Sequence, residues 1–449
     1  MSIGMTVADG VDGRALYRRI SWRILPYLFV LYIVAYVDRV NVGFAAMDMK
    51  RQLHFSDTVY GTGAGMFFLG YALFDLPSSL MVRVVGTRVW IARIMITWGL
   101  IAACMVFVES PRSFYAMRFL LGVGEAGFVP GMLLYFTYWY PSQERAKAVG
   151  IFMTASSLAG VVGGPLSSAL LKMNGMGGLA GWQWLFLAEG VPTALLGISV
   201  LFLLNDGPEQ AKWLKTEEKC WLAEELELDR RLYGAVKHHS LLDAFKLPAV
   251  WVLAAAYVIL QIGVYTVNLW MPLILSRLGD GSGGDSSLIA RYSTVPYLLA
   301  AIATVVVGWS SDKWNERRGH IAGCLLVAAA GFAWAAVAQN VTVALLAFCV
   351  AAMGLWSMTG PFWALTTRMV EGAAAAGGVA MITMLGGVGG FIGPYMTGRL
   401  RDATHSFAGG LYGMSGLAVV GAMLALGSGR FGVRGRGAPG DGLSATSVD

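Results

Sequence analysis

The segment 114–135 reads FYAMRFLLGVGEAGFVPGMLLY and carries Arg118 and Glu125 in a stretch that is otherwise apolar enough to cross a bilayer. A second apolar segment, nearer the start of the chain, carries Asp38 and Arg39. An ionisable group at the centre of a membrane helix costs about 2.5 to 3.5 kcal/mol, so it is usually excluded unless it pairs or lines a cavity. Four such groups in two segments therefore indicate a transport pathway.

Composition points to lipid as the solvent for most of the chain. Of the 449 residues, 56% are hydrophobic and only 13% are charged, which is too few for a water-soluble protein. Because a spanning helix takes about 20 residues, we predict an all-α membrane protein with twelve transmembrane helices in two six-helix bundles. The apolar segments begin near Leu25, Gly61, Val89, Phe114, Ala146, Trp182, Ala249, Leu288, His320, Thr342, Ala374 and Ala408.

The Lys and Arg residues orient the predicted helices, because positive residues stay on the cytoplasmic side of short loops. About 23 of the 33 fall in the termini and even-numbered loops, and about 8 in the odd-numbered loops. Both ends are therefore predicted to be cytoplasmic. The predicted order is a leader over 1–24, a first bundle over 25–204, a central loop over 205–248, a second bundle over 249–428 and a disordered tail over 429–449.

Several other classes of protein are disfavoured. The net charge of +6 is spread over seven cytoplasmic segments without a stripe, which argues against a nucleic-acid partner. The glycines of 122–127 spell GxGxxG, but inside a membrane helix, so no dinucleotide site is expected. We expect no enzyme, no cofactor and no metal site. No ligand spacing joins the four cysteines, Cys104, Cys220, Cys324 and Cys349.

The central loop contains a predicted helix that starts at Thr216 and has acidic residues in its first turn. Its apolar residues, Trp221, Leu222, Leu226 and Leu232, are expected to form a stripe on the membrane surface. The loop is interpreted as a tether between the two bundles, with a regulatory site as the alternative.

The two halves of the chain repeat each other. Residues 160–165 and 389–394 both spell GxxxGP, in predicted helices 5 and 11. Such repeats suit two bundles that rock about a site between them. Small residues at every fourth position are also common wherever membrane helices pack closely, and the two interpretations are compatible.

Charged residues in two corresponding loops are candidates for gating. The loop after helix 2 carries Arg83 and Arg88 below Asp75, and the loop after helix 8 carries Asp312 and Lys313. We predict that these groups control the opening of one side.

Three strings carry a resemblance to a known family: YVDRVNVG at 36–43, FFLGYALFDLPS at 67–78 and RFLLGVGEAGFVPG at 118–131. They resemble the anion:cation symporter family of the major facilitator superfamily, in its branch of bacterial tartrate, phthalate and hydroxyphenylacetate permeases. The resemblance covers nearly the whole chain. It implies import of an organic carboxylate by proton symport and alternating access, in a bacterial inner membrane and by a monomer.

The resemblance also implies roles for the four charged groups. Asp38 and Glu125 match protonation candidates, and Arg39 and Arg118 match residues that hold or gate the anion. The chemistry agrees, because arginine donates two parallel hydrogen bonds to a carboxylate and stays charged. A static ion pair of Asp38 with Arg118 is the alternative for those two residues.

Further substrate contacts are expected from polar and aromatic residues, each of which also has packing as an alternative role. Tyr36 and Tyr71 match pocket tyrosines of the family. The second half offers Gln261, Tyr265, Asn268, Trp356 and Thr359.

The chain departs from the family in helix 11. The family often has two asparagines and a serine where this chain has Thr383, Met384 and Gly387. A sugar acid needs hydrogen-bonding partners along its length, so the departure favours a more apolar or aromatic acid.

Two functional alternatives stay open. One is an antiporter or exporter of organic anions or drugs, because the GxxxGP pattern of helix 5 is also met in drug/proton antiporters. The other is a transporter-like sensor that binds a ligand and signals through the central loop.

Overall fold

The structure is a computed structural model, and it describes residues 11–233, 246–279, 286–369 and 374–428. Residues 1–10 of the predicted leader and the whole predicted tail, 429–449, lie outside this described part. Within it the chain forms three 3-10 turns, at Met105–Phe107, Met176–Gly178 and Pro208–Gln210, and sixteen α-helices. These helices are α1 (Gly13–Leu53), α2 (Asp57–Val85), α3 (Thr87–Cys104), α4 (Pro111–Glu125), α5 (Phe128–Trp139), α6 (Ser142–Leu171), α7 (Gly181–Leu203), α8 (Thr216–Tyr233), α9 (Pro248–Leu278), α10 (Ser286–Tyr292), α11 (Thr294–Lys313), α12 (Arg318–Ala336), α13 (Val341–Ser357), α14 (Thr359–Met369), α15 (Ala374–Thr404) and α16 (Ala408–Gly427).

Twelve helical stretches in the described ranges are long and apolar enough to cross a membrane, which confirms the predicted number of spans. We number them in chain order. Span 4 is built from α4 and α5, span 8 from α10 and α11, and span 10 from α13 and α14. Because twelve is even, α1 begins and α16 ends on one side of the protein, which we call the terminal side; the opposite side is the far side.

The helices pack into the two predicted bundles. In the first bundle α3 packs on α7, α2 on α4, and α1 on α6 and α7. In the second bundle α9 packs on α15, and α12 packs on α13 and α16. Four helix pairings make most of the contact between the bundles: α2 with α15, α1 with α9, α6 with α10, and α6 with α11. The all-α, two-bundle fold is therefore confirmed.

The two GxxxGP motifs allow close approach of different partners. In span 5, a Cβ at Gly164 would lie 2.5 Å from the carbonyl oxygen of Ala290, which belongs to the other bundle. In span 11, a Cβ at Gly393 would lie 2.7 Å from the carbonyl oxygen of Ile262, which belongs to the same bundle. The first motif therefore packs the bundles together, and the second packs one bundle internally.

The bundles meet closely on the far side. The carboxylate of Asp402, near the end of α15, accepts hydrogen bonds from the backbone nitrogens of Asp57 (3.1 Å) and Thr58 (2.7 Å). The start of α2 in the first bundle is thus capped by a side chain of the second. Nearby, the Tyr60 hydroxyl donates to the carbonyl of Leu269 in α9 at 2.9 Å. These bonds hold the far side closed.

The helix of the central loop, α8, packs on protein rather than on lipid. The ring of Trp221 lies 5.7 Å from that of Tyr17 in α1, and Leu222 and Leu226 are buried. The side chain of Leu232 lies outside the described residues. The expected stripe on the membrane surface is therefore wrong for the described residues, because the first bundle itself covers this apolar face.

Polar contacts fix the same helix to the first bundle. The Asp229 carboxylate accepts from the backbone nitrogen (3.0 Å) and the hydroxyl (2.8 Å) of Ser142, at the start of α6. Glu218 pairs with Arg19 of α1. Although burial favours the neutral form, hydrogen bonds from the Lys215 nitrogen and from Arg19 hold the pKa of the Glu218 carboxyl below its usual value.

Candidate functional site

Span 4 crosses the protein as predicted, but it is interrupted where continuous helix was expected. Helix α4 ends at Glu125, Ala126 has an extended ψ of 136°, and Gly127 has a φ of +85° before α5 begins. Only glycine adopts such a φ without strain. Pro130 then falls in the first turn of α5, where its missing N–H costs nothing. The sequence Glu-Ala-Gly-Phe-Val-Pro therefore breaks the helix directly after Glu125.

Side chains of α2 satisfy the backbone at this break. The Asp75 carboxylate accepts a hydrogen bond from the nitrogen of Gly127 at 3.0 Å. The Ser78 hydroxyl donates to the carbonyl of Ala126 at 2.7 Å, and it accepts from the indole nitrogen of Trp90 at 3.0 Å. Broken backbone at membrane depth is tolerated where protein groups pair with it. Asp75, predicted as a gating group, caps the broken helix in this structure.

Arg39 of α1 forms an ion pair with Glu125. The guanidinium lies over the ring of Tyr71, 5.2 Å from its centre, and 5.6 Å from the centre of the Phe67 ring. Glu125 is fully buried, and its Oε2 has no hydrogen-bond partner in the described part of the chain. The side chain of Arg39 keeps 13% of its surface exposed. Of the two side chains, only that of Arg39 is accessible.

Arg118 also lies over the phenyl ring of Phe67. Its guanidinium carbon is 5.0 Å from the centre of Phe67, and its Nη2 donates weakly to the carbonyl of Ala64 at 3.4 Å. The side chain is 0% exposed, and its Nε and Nη1 have no partner among the described residues. A buried guanidinium has five donors to satisfy. Arg118 thus has hydrogen-bonding capacity left for an anion.

Asp38 points away from Arg39, as the helical spacing predicts. Its carboxylate accepts from the indole nitrogen of Trp98 in α3 and from the side-chain nitrogen of Asn41 at 3.0 Å. It forms no ion pair with any residue that the structure describes. The alternative of a static Asp38–Arg118 pair is therefore not what this structure contains, although Arg118 is near enough for its charge to act on Asp38.

Aromatic and amide groups of α9 face these charges across the bundle boundary. The ring of Tyr265 lies 4.0 Å from that of Phe68 in α2. The Asn268 side-chain oxygen accepts from the hydroxyl of Tyr297 at 2.7 Å. Tyr36 of α1 lies beside Asn268 and Tyr265. These predicted substrate contacts are brought together at one level of the boundary.

The remaining predicted contacts of the second bundle are more scattered. Trp356 packs edge-on against Tyr297, with ring centres 5.6 Å apart. The Thr359 hydroxyl donates to the carbonyl of Trp356 at 2.7 Å, so it is occupied locally. Gln261 packs on α15, where its Cβ would lie 3.3 Å from a Cβ at Gly389. In the part of this bundle that the structure describes, all fully buried polar side chains are uncharged.

The predicted gating residues do not form one cluster. Arg88 approaches Asp206, at the start of the central loop, with its backbone nitrogen 2.8 Å from Oδ1 and its Nε 3.7 Å from Oδ2. In the other loop Asp312 pairs with Arg317 at 2.6 Å. The side chain of Arg83 lies outside the described residues. No ion pair between described residues links the two loops.

The loop after span 8 is organised locally instead. The ammonium of Lys313 lies 4.9 Å from the ring of Trp309. The Glu316 carboxylate accepts from the backbone nitrogens of Gly319 (2.6 Å) and His320 (3.0 Å). Although burial favours the neutral form, these bonds hold the pKa of the Glu316 carboxyl below its usual value. The Glu316 carboxylate in this loop therefore caps the start of α12.

Comparison with known proteins decides the family. A model of the Major Facilitator Superfamily matches residues 28–394. The chain belongs to this superfamily. Membership confirms the expectation of a transporter rather than an enzyme, and the expected superfamily. No group of three or more His, Cys, Asp and Glu residues that could bind a metal occurs in the described ranges.

Relatives within the superfamily match nearly the whole chain. One, named "Putative tartrate transporter", from Agrobacterium vitis, is 44% identical over 420 residues, covering 94% of this chain and 92% of the relative. Another, named "Quinolone resistance transporter", from Acinetobacter baumannii, is 40% identical over 412 residues and covers 91% and 93%.

Solved structures of the superfamily share the fold. A bacterial homologue of the human lysosomal transporter Spinster, in an inward-facing and unoccupied conformation, matches with a TM-score of 0.77 at 19% identity. The match covers 96% of this chain and 100% of that one. The xylose transporter XylE from E. coli matches with a TM-score of 0.71 at 14% identity, covering 91% and 99%.

Sequence reasoning missed a buried carboxyl group inside span 6 of this superfamily member. Glu189 of α7 is 6% exposed, and its Oε2 accepts from the side-chain nitrogen of Asn41 at 2.7 Å. Span 6 otherwise reads as uniformly apolar. The insertion cost that singles out Arg118 applies equally to a lone glutamate in such a span, so the signal was present in the sequence.

Proposed function

We propose that this protein imports an organic carboxylate together with protons, by alternating access. One observation supports this proposal above the others. At the boundary between the bundles, Arg39 is paired with the buried Glu125, while Arg118 lies beside the same Phe67 ring with unpaired donors. Two guanidiniums beside one aromatic ring supply the donors for an anion with one or two carboxylates.

The pairing couples the anion to a proton. A substrate carboxylate that binds Arg39 displaces Glu125, because both compete for the same guanidinium donors. The freed Glu125 is fully buried, and an isolated carboxylate in such a place takes up a proton rather than stay charged. Substrate binding and protonation of Glu125 therefore favour each other, which is the thermodynamic requirement for symport.

The second bundle contributes recognition of the rest of the molecule. Tyr265, Asn268 and Trp356 are neutral groups that offer ring faces and one amide. Together with the relative named for tartrate, they support a compact acid with a polar or aromatic body as the substrate.

The setting follows from the charge bias of the loops. The Lys and Arg distribution supports cytoplasmic chain ends, and in that orientation the closed far side faces the periplasm of a bacterial inner membrane. The site is enclosed within one chain, which is consistent with a working monomer. The form described here is therefore closed towards the substrate's source.

An antiporter is the second candidate. It is favoured by the 40% identical relative named for quinolone resistance and by the packing of Gly164 against the other bundle. In that case proton entry through Glu125 would drive an organic anion outwards.

The test is uptake into proteoliposomes of a panel of aliphatic and aromatic carboxylates, with and without an inward proton gradient. Native protein is compared with Arg39→Ala and Glu125→Gln. Arg93→Ala is the matched control, because Arg93 lies over the Trp90 ring at 3.9 Å and outside the site.

Symport predicts that at least one acid accumulates only with the gradient and that Arg39→Ala abolishes its uptake. Glu125→Gln should exchange substrate without accumulating it, and Arg93→Ala should behave as native. Outward flux of an organic anion or drug driven by proton entry would establish the antiporter instead. Specific binding without net flux of any tested compound would indicate a sensor.

A further inference from the structure

Glu189 lies in a buried carboxyl pair that the transport scheme above does not use. The side-chain nitrogen of Asn41 donates to Asp38 at 3.0 Å and to Glu189 at 2.7 Å. One amide therefore bridges two carboxyl groups from α1 and α7. We propose that Glu189 holds a resident proton in the empty transporter, and that transport requires this proton to be in place. This inference rests on the proposed function.

The hydrogen bonds of the cluster require one more donor. An amide nitrogen has two hydrogens, and both are used by the two carboxyl groups. The Oδ1 of Asn41 and the Oε1 of Glu189 have no partner in the described part of the chain. Two buried acceptors thus stand without a donor, and a proton on Glu189 supplies one. Leaving buried polar groups unpaired destabilises the folded protein.

Charge balance supports the same assignment. If all the groups were ionised, three carboxylates would face two guanidiniums, leaving a net charge of −1 in a water-poor site. An uncompensated buried charge costs several kcal/mol. One bound proton makes the set neutral. The set comprises Asp38, Glu125 and Glu189 with Arg39 and Arg118.

The three carboxyl groups differ in how well they are compensated. Glu125 has the ion pair with Arg39. Asp38 accepts two hydrogen bonds, from Trp98 and Asn41, and the positive charge of Arg118 further stabilises its carboxylate. Glu189 receives a single hydrogen bond. The proton therefore belongs on Glu189.

No cation on the neighbouring elements replaces that proton among the described residues. Helix α3 presents the neutral Trp98 at this level, and its charged Arg88 and Arg93 lie towards the terminal side. Helix α6 carries its charges in its first two turns, over 144–147, and at Lys172 beyond its end. On α7 itself, Thr193 bonds only to the backbone carbonyl of Glu189.

Loss of the resident proton would place two negative charges on one amide. Like charges at a shared site repel and disfavour joint ionisation. Rising pH should therefore first disturb the Asn41 bridge, which orients Asp38 next to Arg118. Glu189→Gln replaces the protonated acid by a neutral group of the same shape, which cannot lose a proton.

The first experiment is substrate exchange between equal pools in proteoliposomes across pH 5–9, with L-tartrate as the probe. Exchange moves no net protons, and the coupling proton of Glu125 contributes equally to native protein and to Glu189→Gln, so the difference between the two pH profiles reports the resident proton. We expect native exchange to fall at the alkaline end by up to about tenfold per pH unit. Glu189→Gln should retain more of its activity than native protein through that range. Thr193→Val, one turn further along the same helix, is the control and should retain the native profile.

Three outcomes of this assay would overturn the proposal. If the exchange activities of native protein and Glu189→Gln fall equally at alkaline pH, Glu189 does not titrate during transport. A native profile that stays flat to pH 9 would show that no such proton is required. Recovery of native exchange at alkaline pH on adding NaCl, but not choline chloride, would identify a metal cation as the occupant.

A second measurement does not depend on the substrate or on the proposed function. Infrared difference spectra of the purified, substrate-free protein report protonated carboxyl groups by their C=O stretch. We expect such a band at neutral pH in the native protein, its absence in Glu189→Gln, and its persistence in Glu189→Asp. Absence of the band from native protein, or its loss in Asp38→Asn alone, overturns the assignment even if symport is correct. The band remains testable even if tartrate is not carried.

Discussion

Spans 4 and 10 occupy the same place in the two bundles, and each is built from two helices. In span 4 the helix breaks fully, with a φ of +85° at Gly127. In span 10 the corresponding interruption, at Met358, keeps a near-helical φ of −73° and ψ of −17°. The residue before each break is buried: Glu125 in one case and Ser357 in the other.

The difference shows how the two bundles divide the work. At the full break, α4 ends at Glu125, and side chains of the neighbouring α2 pair with the freed backbone. The milder distortion of span 10 needs no such support and carries no charge. In the proposed function, the first bundle therefore supplies the groups for proton coupling, whereas the second offers a neutral surface. Repeated architecture does not imply repeated chemistry.

The largest expected effect comes from substituting the residue that precedes the break in span 4, compared with the residue that precedes the break in span 10. Glu125→Gln should lose gradient-driven accumulation, by about tenfold for each pH unit of gradient if one proton is lost from the cycle. Ser357→Ala should leave accumulation within about twofold, because its hydroxyl has no hydrogen-bond partner among the described residues to lose. Steady-state uptake at clamped membrane potential measures both. Equal losses in the two variants would contradict the division of work.

The next effect concerns the break itself. In Gly127→Ala the new Cβ would lie 2.6 Å from the Cβ of Ser78, and the positive φ would be strained. We expect a loss of about 2 to 4 kcal/mol of stability, seen as a lower melting temperature in detergent. Gly360→Ala is the control in span 10, because its Cβ would meet no atom within 4 Å. A native melting temperature for Gly127→Ala would show that the break is not required.

A smaller effect is expected at the cap of the break. Asp75→Ala removes the acceptor for the nitrogen of Gly127 and should cost about 1 kcal/mol, like the loss of a helix N-cap. Asp75→Asn keeps an acceptor oxygen and should retain most of that stability. Thermal melting of both variants separates the hydrogen bond from the charge. If Asp75→Asn melts as low as Asp75→Ala, the charge and not the bond supports the break.

The smallest effect is expected in span 10. Trp356→Phe keeps an aromatic ring against Tyr297, so the pair should lose only part of the roughly 0.5 to 1.5 kcal/mol that such contacts contribute. We expect the KM for the carried acid to change by about threefold and the proton-to-substrate ratio to stay the same. A changed ratio would show that the second bundle takes part in coupling.

The spans were predictable from sequence because each membrane helix carries its own signal of about 20 apolar residues. Side-chain partners were not predictable in the same way. The pairing of Arg39 with Glu125 depends on how α1 and α4 are rotated about their axes, which helical spacing within one segment does not determine. The break at Gly127 and the bridging role of Asn41 likewise depend on a neighbouring helix.

The central loop shows a second limit of sequence reasoning. An apolar stripe such as Trp221, Leu222 and Leu226 has the same pattern whether lipid or protein covers it. The position of Asp229 opposite the start of α6 decides the matter, and that is a tertiary fact. The lone Glu189 was different, because its cost in a membrane helix was visible in the sequence.

The cap that Asp402 places on α2 has a consequence for the resting transporter. Opening the far side must separate the two bundles, which leaves the first amides of α2 without their carboxylate. A lost N-cap costs about 1 kcal/mol, enough to shift the ratio of two conformations about fivefold. The carboxylate of Asp402 therefore sets, before any substrate arrives, the fraction of the protein population that is closed on the far side.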